Sequence, residues 1–179
     1  SGRIELSCTP GSHPLAPLLI DFNTAREAWP DCPLPAAPEY PGGRSRSEAH
    51  LNAARTCHTE HFGQAPSGLW PAEGALSQAF LNQIGAAGFA WTASSHGVLR
   101  HSAGDHAKTT VAWQPPEGTP GDLTLFFRNE QLSDLIGFEY CKWHGRDAAQ
   151  HFMTELKALH LQDNRNLIPV FLDGENAWE

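Results

Sequence analysis

Two acids stand where an apolar run gives way to a turn. Glu73 follows Leu69 and Trp70 in SGLWPAEG, and Asp173 follows LIPVFL, with Glu175 and Trp178 just beyond. Two carboxyl groups on different strands are what cleavage of a glycosidic bond needs. One attacks the anomeric carbon or activates water, and the other protonates the leaving oxygen. Trp70 and Trp178 offer apolar faces on which a sugar ring can lie. A third strand end carries Arg128, Asn129 and Glu130, then Asp134; an earlier run holds Glu5, followed by His13 just ahead of Pro14. Acids in such places also serve as helix caps and solvated turns, so the pattern alone leaves both readings open.

The elements that would position these groups follow from the apolar pattern. Five short runs read as strands: RIELS at 3 to 7, SGLW at 67 to 70, GFAWT at 88 to 92, DLTLFF at 122 to 127 and LIPVFL at 167 to 172. None alternates strictly, as expected of strands covered on both faces. Helical spacing lies between them. Leu15, Leu18, Leu19 and Phe22 share a face, and Ser47 is placed to cap a helix carrying Leu51, Ala54 and Phe62 and ending at Gly63. Leu76, Phe80 and Ile84 form a third stripe, and Ala149, Phe152, Leu156 and Leu159 a fourth. This βα alternation predicts a parallel sheet, doubly wound or curled into a barrel, with chemistry at the carboxyl ends of the strands. Residues 29 to 46, with five of the 14 prolines, and residues 101 to 121 read as long loops. Such loops serve as site walls or lids, disorder being the plainer alternative.

Composition excludes several classes of function. A chain of 179 residues with 40% hydrophobic content supports one domain with a core. A net charge of −8 argues against nucleic acid, which needs a basic stripe to displace counterions. No run approaches the ~18 apolar residues of a membrane span, so no membrane partner is expected. Cys8, Cys32, Cys57 and Cys141 form no CxxC pair and read as free thiols of a reducing, cytoplasmic compartment. His58 and His61 form an HxxH pair beside Cys57 and Glu60, but without a convergent third ligand they read as surface residues, and no metal or cofactor is expected. A metal-dependent carbohydrate deacetylase is the rival that bound metal would favour.

The runs IELSCTPGSHPLAPLL, GLWPAEGALS, LFFRNEQLSDLIGF and VFLDGENAWE, in this order, closely resemble glycoside hydrolase family 57, especially its amylase and amylopullulanase-like members. The similarity extends through most of the chain and is weakest at 101 to 121. It implies an α/β fold, a partial, TIM-like (β/α)7 barrel to which this chain gives about five parallel strands with flanking helices. Residues 1–179 would then be a single domain, a fragment of a larger catalytic barrel without its first and last parts, and a poor catalyst alone. The resemblance implies a retaining mechanism on an α-glucan or maltooligosaccharide, by hydrolysis or by transfer to another glucan. Glu73 matches the nucleophile and Asp173 the general acid/base, with carboxyls about 5–5.5 Å apart. Glu5, His13, Trp70 and Glu175 match positions lining the sugar site, and Asp134 is either a pocket residue or one that fixes a loop. Two departures touch the rim: Asn129 stands where the family often has Asp, and Ser94, Ser95 and His96 replace an acidic Thr-Asp-Glu. A non-catalytic glucan-binding or structural fragment is the alternative that Asn129 and the missing first and last parts motivate.

Overall fold

The computed structural model describes residues 4–163 and 167–172. Among them, β1 (Gly68–Leu69), β2 (Trp91–Ser94) and β3 (Thr124–Phe127) form one sheet in that order. β1 and β2 are parallel, with Gly68 opposite Trp91 and Leu69 opposite Thr92. β3 runs the same way, because Thr124 N–H donates to the Ala90 carbonyl and Arg128 N–H to the Ser94 carbonyl, the same offset at both points. Glycine is required at 68: a Cβ there would lie 1.9 Å from Trp91 Cε2.

Among the described residues, neither 4–7 nor 167–172, the places of the first and last expected strands, forms a strand. At the first, Cys8 makes an isolated parallel bridge to Leu69, with Cys8 N–H donating to Gly68 and its carbonyl accepting from Trp70 N–H. The next ladder bond would need an N–H at residue 10, and Pro10 has none. At the last, the Pro169 carbonyl accepts from Asn129 N–H, 2.7 Å. The return bond to the Asn129 carbonyl is pre-empted, since Ser133 takes that carbonyl through both its N–H and its Oγ. Phe171 N–H donates to Ser133 Oγ instead. Among the described residues, the segment 167–172 forms no strand beside β3.

The chain divides into two compact units. One comprises the chain up to Ala93 with Gln114–Leu125, the other Ser94–Trp113 with the chain from Phe126 on. In the first, α1 (Ala16–Ile20), α2 (Ala25–Ala28), α3 (Gly43–Phe62) and α4 (Gln78–Ala86) accompany the sheet. Of the stripes predicted by spacing, Leu51 and Ala54 from α3 and Phe80 and Ile84 from α4 are buried, with Leu69, Leu81, Phe89 and Leu123, whereas Phe62 and Leu15 are exposed. Each such side chain contributes about 1.5–3 kcal/mol relative to exposure. Ser47 is not the cap of α3. The helix starts four residues earlier, behind left-handed Gly42, and Ser47 is buried within it, donating to Gln83 Oε1 at 2.7 Å. The predicted stop at Gly63 is present, left-handed and donating its N–H to the Thr59 carbonyl.

The second unit holds α5 (His96–Ala103), α6 (Glu130–Asp134) and α7 (Gly145–Asp163). Ser95 caps α5, its Oγ accepting from Val98 N–H, so residues 101 to 103 continue a helix rather than begin a loop. Leu99, Phe127, Leu132 and Ala148 are buried here, and Trp113 packs edge-on to Phe127 with its Nε1–H donating to the Lys108 carbonyl. Among the described residues, no helix is long and apolar enough to cross a membrane.

Candidate functional site

The turn after β1 presents Glu73. Trp70 and Pro71 are buried, and Pro71 starts a short 3-10 turn over Ala72–Gly74. Inside that turn Glu73 has φ 57° and ψ 14°, and Gly74 follows with φ 63°. Left-handed backbone costs a non-glycine residue roughly 1–2 kcal/mol and persists only where the surroundings impose it. Its consequence is that Glu73 stands outward between two buried neighbours, Ala72 and Gly74.

A second strained turn brings its partner. Ser12 (φ 65°) and His13 (φ 49°) are also left-handed, although His13 precedes Pro14, a position normally held to extended backbone. From this turn His13 Nε2 lies 2.8 Å from Glu73 Oε1, the two side chains being 39% and 61% exposed. A carboxylate oxygen only accepts, so the ring nitrogen donates, whether the imidazole is neutral in its Nε2–H form or protonated. Neither positive φ is signalled by glycine in the sequence, which is why spacing could not pair these residues.

The other candidates of this unit are placed nearby in sequence but differently engaged. Glu5 is exposed, and its Oε1 accepts from Trp91 Nε1 at 2.7 Å. Trp70 is 8% exposed. Burial pushes the Cys8 thiol up to about 11, the Arg55 charge opposing this, so it stays protonated at neutral pH and is not a nucleophile. All four cysteines are free. The HxxH imidazoles face carbonyls: His58 Nδ1 pairs with Gln64 and His61 Nδ1 with Cys57. Two surface hollows of about 340 and 440 Å³ open along α3, the first toward α4 and the second toward the end of α1. Neither is lined by Glu73 or His13, so the candidate chemistry is on an open turn rather than in those hollows.

In the second unit the acids after β3 have structural partners. Asn129 caps α6, its Oδ1 accepting from Leu132 N–H at 2.9 Å. Glu130 Oε1 accepts from Gly97 N–H in the first turn of α5, 3.0 Å. Asp134 pairs with Arg128 Nη2 at 2.6 Å, both partly exposed. This is the loop-fixing geometry for Asp134. Asp173 and Glu175 lie outside the described residues.

Two comparisons with known proteins give matches. The sequence model of glycosyl hydrolase family 57 matches residues 1–179. Among solved structures, the α-amylase AmyC from Thermotoga maritima matches with a TM-score of 0.50 at 14% identity, over 75% of this chain and 21% of that one. The chain thus spans about a fifth of that enzyme's length, and at this identity the likeness is one of fold: parallel strands with flanking helices. Comparison with curated proteins gives no match.

Proposed function

This chain belongs to glycosyl hydrolase family 57, and from that premise we propose that it serves retaining cleavage of α-glucans, with Glu73 as nucleophile and Asp173 as general acid/base. The observation that carries the reading is the exposed carboxylate of Glu73, held on left-handed backbone at the carboxyl end of β1 with His13 on one oxygen. The α-amylase among its structural neighbours puts α-glucans first among substrates.

In the first step a Glu73 oxygen attacks the anomeric carbon as the bond to the leaving oxygen breaks, and Asp173 gives that oxygen its proton. A covalent glycosyl ester forms on Glu73. In the second step Asp173, now a carboxylate, takes a proton from water, whose oxygen attacks the anomeric carbon and releases Glu73. A sugar hydroxyl in place of water gives transfer instead of hydrolysis. Glu5 and Trp70 in the first unit, with Glu175, are proposed to line the sugar site, while Asp134 acts through Arg128.

Glu73→Gln in the full-length protein tests this. With maltoheptaose as substrate, turnover should fall on the order of 10⁴-fold or more, and NMR of the parental reaction should show the α-anomer first. Undiminished hydrolysis by the variant, or β-anomer from the parent, would sink the assignment. A parent that binds maltoheptaose yet releases no reducing ends would be the binding module instead.

A further inference from the structure

Among the described residues, His13 is the partner of the Glu73 carboxylate, and both residues reach the contact from left-handed backbone that few non-glycine residues adopt. Two separate turns, 60 positions apart in the chain, carry this departure and meet at one hydrogen bond of 2.8 Å. Strain of this kind is retained where an arrangement of side chains requires it.

We infer that His13 is the positioning residue of Glu73: its Nε2–H fixes Oε1 and so directs Oε2 to the anomeric carbon. The inference rests on the reading of Glu73 as nucleophile and gives His13 a role other than contact with sugar. A carboxylate on an exposed side chain rotates among several rotamers, and only those with an oxygen in line with the breaking bond are productive. A donor on one oxygen selects among them. The same donor persists on Glu73 when the glycosyl ester forms, since the carbonyl oxygen of the ester still accepts. His13 therefore touches neither sugar nor leaving group, and its loss should appear in the rate rather than in binding.

Two substitutions separate the side chain from its backbone. His13→Asn suits the left-handed turn, because Asn tolerates positive φ better than most residues, but its amide is too short to reach Glu73. His13→Gln carries an N–H donor to about the distance of Nε2. In the full-length protein acting on maltoheptaose, H13N should lower kcat about 10–100-fold, the scale of one charge-assisted hydrogen bond, with KM little changed. H13Q should recover most of that loss. A rise in KM at unchanged kcat in both variants would make His13 a sugar contact and overturn the inference, as would parental kinetics in H13N. Equal loss in H13N and H13Q with a lowered melting temperature would reduce it to a fold contact and overturn it too. E73Q run in parallel keeps the two claims apart: its retained activity would remove the nucleophile, whereas an inactive E73Q with H13N at parental kcat removes only the positioning role.

Discussion

The turns after β1 and after β3 both carry acids, yet they are built in opposite ways. After β3, Asn129 and Glu130 accept from backbone N–H groups at the starts of α6 and α5, and Asp134 pairs with Arg128. Each acceptor there completes a helix end or ties a loop, and the backbone is ordinary. After β1, Glu73 stands exposed on strained backbone and, among the described residues, meets the imidazole of His13 from a second strained turn. An acid that satisfies backbone stabilises the fold whether or not a ligand is present. An acid whose placement costs backbone energy and gains one exposed contact among the described residues fits the catalytic role proposed for Glu73.

The sharpest way to break this contrast is to remove one acid from each turn. Glu130→Ala removes the acceptor for Gly97 N–H and a negative charge near the start of α5, and should lower stability by about 1–2 kcal/mol. Turnover of maltoheptaose should stay near the parental rate at temperatures well below the melting transition. E73Q should behave the other way, losing turnover on the order of 10⁴-fold with its melting temperature unchanged. Urea unfolding and reducing-end release on the same preparations check both halves, and an E130A as inactive as E73Q would erase the distinction between the turns.

A smaller effect sharpens the claim about strain. Glu73→Gly and Glu73→Ala both lose the bond to His13, but only glycine is at ease with φ 57°. E73G should therefore be about 1 kcal/mol more stable than E73A, both being inactive. Equal urea midpoints would mean that the turn holds Glu73 without strain, and the backbone would cease to be evidence for function.

The sequence made the acids and three of the strands legible, and less of their environment. Leu51 and Ala54 on α3 and Phe80 and Ile84 on α4 were readable because helical burial repeats in sequence, while Phe62 and, on α7, Ala149 are exposed; β1, β2 and β3 were readable because their apolar runs are short and bounded. The runs at 3 to 7 and 167 to 172 look equally strand-like, but pairing depends on where an N–H is free to donate. Pro169 and the claim of Ser133 on the Asn129 carbonyl decide that for the second run, and the latter is a tertiary fact; at the first, Pro10 only stops the Cys8 bridge from extending. Ser47 misled for a related reason: it has the chemistry of a cap, but Gln83 on α4 offered it a buried partner. The pairing of His13 with Glu73 left no local mark, because neither left-handed turn uses glycine at those positions. Asp134 could be read two ways in sequence, and its ion pair with Arg128, six residues away, adds a partner within its own loop that spacing did not name.

The smallest expected effect concerns Asn129, where the family that this chain resembles often carries Asp. Read as part of a sugar site, the exchange of a carboxylate for an amide would alter substrate binding. The side chain instead accepts from Leu132 N–H at the first turn of α6, a task that Asn and Asp perform about equally well. Asn129→Asp should accordingly change stability by no more than about 0.5 kcal/mol, with a slight gain from the charge at a helix start. Asn129→Ala should lose about 1 kcal/mol. KM for maltoheptaose should be the same in all three proteins. A KM that shifts in N129D while its unfolding curve does not would move residue 129 from the frame of the turn to the substrate, and the turn after β3 would then join the turn after β1 in doing chemistry.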